Sequence, residues 1–274
     1  MLRWEGKTSH FFMSGDSKEQ PNIFYTKVPQ TEAHDNLLLE GKVKSVYQKA
    51  DEPDKVYLHF HDKVTAGNGR RIDFPEGKGK TCCLISALLF EHMEKRGIKT
   101  HYIDCPNLDT LLCKKLTIVP VEVIIRNIAA GSIVKTTTIT EGTLINPPIV
   151  EFFLKDDSKN DPLLTADRVR LMGIDTKPII ERTLEVNHHL QSLFTLCGMD
   201  LVDFKLEFGY DAHGELFLAD ELSPDNMRLW KKGSKERFDK DLFRDEHYVG
   251  EGDILPQYKE ILSKLEGLYY APYT

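Results

Sequence analysis

LVDFKLEFGYDAHGELFLADELSPDNMRLW, residues 201–230, alternates apolar and charged side chains on either side of a polar centre. That pattern predicts a β-hairpin. Over 202–208, Val202, Phe204, Leu206 and Phe208 fall on one face, and Asp203, Lys205 and Glu207 fall on the other. Gly209 and Gly214 bracket the turn. In the second strand, 215–222, Asp220 shares its parity with Leu216, Leu218 and Leu222, which sets a carboxylate partly inside. The stretch holds seven acidic residues against two basic ones, Lys205 and Arg228. A buried carboxylate must be paired, neutralised or bound to a metal. Glu207 and Asp220 are hard oxygen donors on adjacent strands, which suits Mg²⁺, an ion that takes its other ligands from water and phosphates. The plain alternative is a solvated strand face with surface ion pairs. Asp211, Glu215 and Glu221 read as surface charge, and Asp225 reads as the partner that sets Arg228.

Working outward, residues 178–197 form the clearest helix, with Ile180, Leu184, Asn187, Leu190, Leu193 and Phe194 on its apolar face and Gly198 as its stop. A second amphipathic helix spans 81–97 and a third 254–268. Residues 37–48 predict a strand interrupted at Gly41, with Lys42 and Lys44 on one face, and 56–62 predict another. The lysine pair can cradle nucleotide phosphates or simply face water. LTIVPVEVIIRN, 116–127, ends on Arg126, beside the small-residue turn AAGS with Ser132. An arginine closing an apolar strand needs a partner. That partner is an anion bound with Ser132 and nearby amides, or an internal ion pair with Glu122. NPP at 146–148 reads as a break, and 152–164 as an acidic loop. KKGSKERFDKDLFRDE, 231–246, reads as a charged, partly helical surface segment. Strands dominate up to residue 126 and helices bracket the hairpin, an α+β pattern of two lobes around a cleft.

Of the 274 residues, 41% are hydrophobic and 29% charged, with a formal net charge of −7. Broad binding to nucleic acid or to an anionic membrane is excluded as the main function, and no apolar run is long enough for a span. Five cysteines without a C-x-x-C pair point to a reducing, cytoplasmic setting. GKGKTCC, 77–83, ends like a phosphate-binding P-loop, but Phe74 stands where its first glycine belongs. The pairs His59/His61 and His188/His189 lack a third ligand at zinc-like spacing.

EGKVKSVY, VPVEVIIRNIAAGS, LVDFKLEFG and LADELSPDNMRLW occur in one order that resembles the phosphoribosylaminoimidazole-succinocarboxamide synthases, or SAICAR synthetases, over roughly 36–268. FLKDDSKNDP and DKDLFR are weaker segments of the same likeness. The resemblance implies a two-lobed α+β fold related to ATP-grasp enzymes and kinases. It implies an N-terminal extension, 1–35, a nucleotide-binding lobe, 36–119, and a substrate- and metal-binding lobe, 120–274. The implied reaction joins L-aspartate to carboxyaminoimidazole ribonucleotide (CAIR), giving SAICAR, ADP and phosphate, with ATP as co-substrate, Mg²⁺ as cofactor and a homodimer as the assembly.

The resemblance also implies roles. Lys42 and Lys44 would contact the nucleotide phosphates, and Glu207 and Asp220 would hold Mg²⁺ on ATP, with Asp161 as a further metal or substrate contact. Arg126, Ser132 and Arg228 would bind the phosphate and carboxylate end of CAIR, with Asp225 and Asp62 near that substrate. Asp203 and Lys205 would line the reacting centre; apart from the resemblance, the place of Asp203 beside Lys205 makes it the carboxylate expected to accept the amine proton. Two departures stand out. The family often carries asparagine at the start of the first helix, where this chain has GKTCCLIS, and the first 30 or so residues exceed the family's usual start. A small-molecule kinase and an inactive nucleotide-binding scaffold are the competing classes. RNIAAGS and SPDNMRLW speak against the first, and the presence of Lys42, Glu207 and Asp220 against the second.

Overall fold

The computed structural model describes residues 36–66, 71–244 and 254–270, so the expected extension 1–35 lies outside the described residues. The first strands are β1 (Asn36–Glu40), β2 (Lys44–Gln48) and β3 (Lys55–Phe60), followed by the short ribbon β4 (Val64–Ala66) and β5 (Arg71–Asp73). Helix α1 (Lys78–Glu94) leads to β6 (Tyr102–Asn107) and β7 (Thr110–Lys114). Strands β1, β2, β3, β7 and β6 lie in that order in a five-stranded antiparallel sheet, packed against α1. The expected strand over 37–48 is a hairpin instead. Gly41 N donates to Lys44 O at 2.8 Å, and a Cβ on Gly41 would lie 2.9 Å from that oxygen. Lys42 therefore sits exposed in the turn and does not share a strand face with Lys44.

The second sheet begins with β8 (Thr117–Ile118) and β9 (Val121–Ile128), then α2 (Ser132–Thr136), β10 (Leu144–Leu154) and β11 (Leu163–Leu164). Helices α3 (Ala166–Leu171) and α4 (Thr176–Leu196) precede β12 (Met199–Tyr210), β13 (Leu216–Ala219) and β14 (Met227–Lys231), with α5 (Asp241–Arg244) and α6 (Leu255–Tyr270) last. The order is β11-β10-β9-β12-β13, and β14 and β8 also pair with β12. Asn146-Pro147-Pro148 does not end β10. Its prolines supply no ladder donors, and the register jumps from Leu144↔Ile128 to Ile149↔Arg126. Helix α4 buries Asn187, Leu190, Leu193 and Phe194 as the sequence suggested, but its first half turns Ile179, Thr183 and Val186 inward and leaves Leu184 40% exposed.

The hairpin is present, but its parity changes partway. A register shift between Leu201 and Asp203 inserts an extra residue against β14. Met199 and Leu201 point into the main core before it, and Phe204, Leu206 and Phe208 after it. Val202, expected with the latter set, packs separately with Ala130 and Trp230. The 231–246 segment is only partly superficial, because Phe238, Asp239 and Phe243 are buried.

The two sheets meet where Thr100 bridges Leu218, with Leu218 N on Lys99 O and His101 N on Leu218 O, both at 2.9 Å. One continuous apolar core runs through both, and α6 crosses back to pack on α1. Asp62 starts α1: its carboxylate accepts from Gly77 N at 3.0 Å and Gly79 N at 2.8 Å. Gly79 is required there, since a Cβ would lie 2.5 Å from Phe60 O. The carboxylate expected near CAIR is thus engaged with helix amides. Asp62→Ala is expected to cost about 1 kcal/mol of stability, the usual worth of a side-chain cap, read as a lowered unfolding midpoint in urea.

Candidate active site

Asp203 stands opposite Arg126 on β9 and opposite Arg228 on β14, so the central strand presents one carboxylate between two guanidiniums. Arg126 Nη1 donates to Asp203 Oδ2 at 2.8 Å, and Arg228 Nη1 reaches Oδ1 and Oδ2 at 3.0 and 2.9 Å. Arg126 is 1% exposed. Its Nε donates to Glu151 at 2.6 Å and its Nη2 to Ser132 Oγ at 2.8 Å. Its carboxylate partners are Glu151 and Asp203, and Glu122, weighed from the sequence, goes elsewhere. Arg228 Nε donates to Asp241 at 2.6 Å, and its side chain keeps 18% exposure. Gly131 lies flat on this guanidinium, where a Cβ would meet Nη2 at 2.5 Å. Burial raises the Asp203 carboxyl above its ordinary value, while Arg228 and Arg126 oppose the rise. Both oxygens accept from the arginines, so the carboxylate expected from sequence to act as a base also anchors the two guanidiniums.

Two residues further along β12 at each step, about 7 Å in a strand, come Lys205 and Glu207. Lys205 Nζ donates to Glu207 at 2.8 Å and Glu122 at 2.9 Å, and lies 3.7 Å from Asp220. Lys155, from the loop after β10, reaches the other oxygen of Glu207. Across the cleft, Lys44 of β2 bonds the Asp220 carboxylate and donates to Glu221 at 2.8 Å. Burial alone would raise the Asp220 carboxyl, but the Lys44 and Lys205 ammoniums outweigh it and hold it well below its usual value. For Lys44 burial pulls downward, and Asp220 and Glu221 more than reverse it.

The parity puzzle at Asp220 resolves here. Strand β13 ends at Ala219, and Asp220 takes a left-handed φ of 63°. The backbone turns out of the strand, and the carboxylate swings into the cleft. His101 Nε2 lies 3.0 Å from Asp220 O, and burial pushes His101 down to about 4, so the imidazole is neutral at physiological pH and serves as the donor.

Several expectations change. Glu221 is buried at 3% exposure, held between Lys44 and Ser223, and is not surface charge. Asp225 does not set Arg228. It bonds Lys78 and accepts from Tyr258 OH at 2.9 Å. Asp161 turns its Oδ1 to Asp156 N at 2.9 Å, closing the 156–161 loop, rather than joining Glu207 and Asp220. Lys155, Glu151, Lys78 and Asp241 carry no expectation from the sequence, and Glu122, expected beside Arg126, pairs with Lys205 instead. Those four arrive from segments distant in sequence from the partners they meet.

Among the described residues, no group of three or more His, Cys, Asp or Glu side chains is arranged to hold a metal ion. The donor set still fits Mg²⁺ bound with a nucleotide, which needs only one or two protein carboxylates beside phosphates. Glu207 and Asp220 both approach the Lys205 ammonium, so a cation already occupies the space between them. Locally four carboxylates (Glu122, Glu207, Asp220, Glu221) meet three ammoniums (Lys44, Lys155, Lys205), leaving one negative charge in surplus.

The SAICAR synthetase family model matches residues 37–262. The phosphoribosylaminoimidazole-succinocarboxamide synthase of Bacillus subtilis (strain 168) is 44% identical over 238 residues, covering 85% of this chain and 97% of its own. That of Synechocystis is 44% identical over 239 residues, covering 84% and 90%. A type-2 SAICAR synthetase solved in complex with ADP superposes with a TM-score of 0.79 at 38% identity, covering 84% of this chain and 97% of the other. The synthase of Ehrlichia chaffeensis gives 0.79 at 37%, covering 84% and 98%.

Proposed function

This chain belongs to the SAICAR synthetase family, and we propose that it works as follows, with its ligase chemistry laid out along β12. It is an ATP-dependent ligase of purine biosynthesis, joining L-aspartate to the carboxylate of CAIR with release of ADP and phosphate. One observation carries the assignment of residues. Asp203, Lys205 and Glu207 lie at successive alternate positions of β12, and each draws partners from neighbouring strands and loops, so the Arg126–Asp203–Arg228 row, an anion-holding end, adjoins the Lys205–Glu207–Asp220 cluster, a phosphoryl-transfer end.

A carboxylate is a poor acylating group because oxide would have to leave. Transfer of the γ-phosphoryl group to the CAIR carboxylate makes an acyl phosphate, and phosphate then leaves when the aspartate amine attacks. The protein's part is positioning and charge neutralisation. Arg228, the more exposed arginine, grips the phosphate or carboxylate of CAIR, with Ser132 beside it and the buried Arg126 fixing both Ser132 and Asp203. Lys205 faces the reacting carboxylate. Lys44 holds the nucleotide phosphates from the opposite sheet, and Lys42, exposed in the β1–β2 turn, meets them from outside. Glu207 and Asp220 hold Mg²⁺, which when bound neutralises charge on the phosphate oxygens. Asp225 and Asp62 act behind these groups by fixing the cleft wall, and Asp161 acts by shaping the loop that carries Lys155.

The nucleotide-binding lobe is 36–119 and the substrate- and metal-binding lobe 120–274, with α6 spanning both. A homodimer in the cytoplasm completes the proposal, and the five free thiols suit a reducing compartment. ADP release should require CAIR and aspartate together, with ATP and Mg²⁺. Release with an unrelated alcohol acceptor would point to a kinase, and none under any condition would leave only a scaffold.

A further inference from the structure

Lys78 opens α1 with an ammonium that is 1% exposed. The position is unfavourable twice over: a helix N-terminus carries positive partial charge, and a buried charge loses its hydration. Its compensation is the Asp225 carboxylate and Lys63 O at 3.2 Å. A buried pair of this kind is weak evidence for stability, since apolar replacements often do as well. What it does supply is a fixed position for Asp225.

From Asp225 the bonds run on without a gap. Tyr258 of α6 donates its hydroxyl to Oδ1 at 2.9 Å. Asp225 N donates to Ser223 Oγ at 3.2 Å, and Ser223 Oγ donates to Glu221 Oε2 at 2.5 Å. Glu221 Oε1 then accepts from Lys44 at 2.8 Å, and the same lysine bonds Asp220. Leu222 N on Ser86 Oγ at 3.0 Å ties the loop to α1 once more. Burial, with the Asp225 charge beside it, pushes the Tyr258 phenol far up, so it remains a donor at any working pH.

We infer that Tyr258 and Lys78 are positioning residues of the nucleotide site: from α6 and α1 they fix Asp225, and through Ser223 and Glu221 they set Lys44 against Asp220. The inference rests on the proposed assignment of Lys44 and Asp220 to nucleotide and metal. It gives the last helix a part in ATP use rather than mere cover for α1.

Tyr258→Phe in the full chain keeps the ring and removes the bond. The expected result is a rise of about tenfold in KM for ATP or in the Mg²⁺ midpoint, the scale of a lost hydrogen bond to a charged group, with KM for aspartate unchanged. Ser223→Ala breaks the same chain without touching α6 and should give the same ATP-specific rise. Unchanged ATP and Mg²⁺ dependence in both variants overturns the inference, whatever happens to thermal stability. An equal rise for ATP and aspartate overturns it too, as general loosening. Asp220→Asn, run alongside, separates the two layers: if that variant keeps its turnover the site assignment itself falls, and if it loses turnover while the other two match the parent, the positioning role alone falls.

Discussion

Asp220→Asn is expected to cut turnover on the order of 10³-fold, about 4 kcal/mol of transition-state stabilisation, while the chain remains folded. The substitution removes one of the two carboxylates proposed to hold Mg²⁺ and the charge that Lys44 and Lys205 share. It spares the backbone, because asparagine tolerates the left-handed region that the φ of 63° requires. Alanine would confound the test by straining that turn. Lys44 keeps Glu221 as a partner at 2.8 Å, so no ammonium is stranded. The Asp220 carboxyl is held below its ordinary value, so its contribution to stability is present above the unfolded-state value of about 3.9 and is lost as pH falls through the folded one. Parent and variant should therefore differ most in stability near neutral pH and converge only in strong acid. Steady-state rates at ordinary Mg²⁺, with thermal unfolding as control, decide the matter. Near-normal turnover would remove Asp220 from the metal assignment.

The sequence showed where charge and apolar surface alternate, and that was enough for β12. It could not show where a strand stops alternating. The extra residue at Val202 reverses parity without any glycine or proline to announce it. Asp220 looked like a misfit inside a strand because nothing in ELFLADEL marks the left-handed turn after Ala219. Glycine marked the turn at Gly41 only as an interruption, and the hairpin it makes there parts Lys42 from Lys44.

Pairing was the other illegible layer. Lys78 and Asp225 are 147 residues apart, and Lys44 and Glu221 are 177 apart, so no local spacing connects them. Sequence proximity misled where Asp225 and Arg228 were matched, three positions apart, since β14 carries Arg228 towards Asp203 while the loop leaves Asp225 behind with Tyr258. Of the residues proposed from the motifs, Arg126, Ser132, Asp203 and Arg228 gather in one group along β12, and Lys44, Lys205, Glu207 and Asp220 in the next, whereas Asp161 and Asp62 are occupied by backbone amides, Asp225 by Lys78 and Tyr258, and Lys42 lies in the β1–β2 turn.

Asp203→Asn discriminates between the two roles open to that residue, and a large loss of stability is expected, about 3 kcal/mol. The carboxylate lies between Arg126 and Arg228, which donate to it at distances from 2.8 to 3.0 Å. An asparagine keeps one neutral acceptor and turns an amide N–H on to guanidinium N–H groups, leaving two buried like charges with less to separate them. Arg126 retains Glu151 and Arg228 retains Asp241, which limits the damage to a loosened row rather than an unfolded sheet. KM for CAIR should rise together with the fall in unfolding midpoint, because the arginines proposed to hold that substrate are the groups set adrift. A base would behave differently: kcat would fall at saturating CAIR and aspartate, while stability and KM for CAIR stayed near the parent's. That second pattern would restore Asp203 to the proton-transfer step and refute its placement as an anchor.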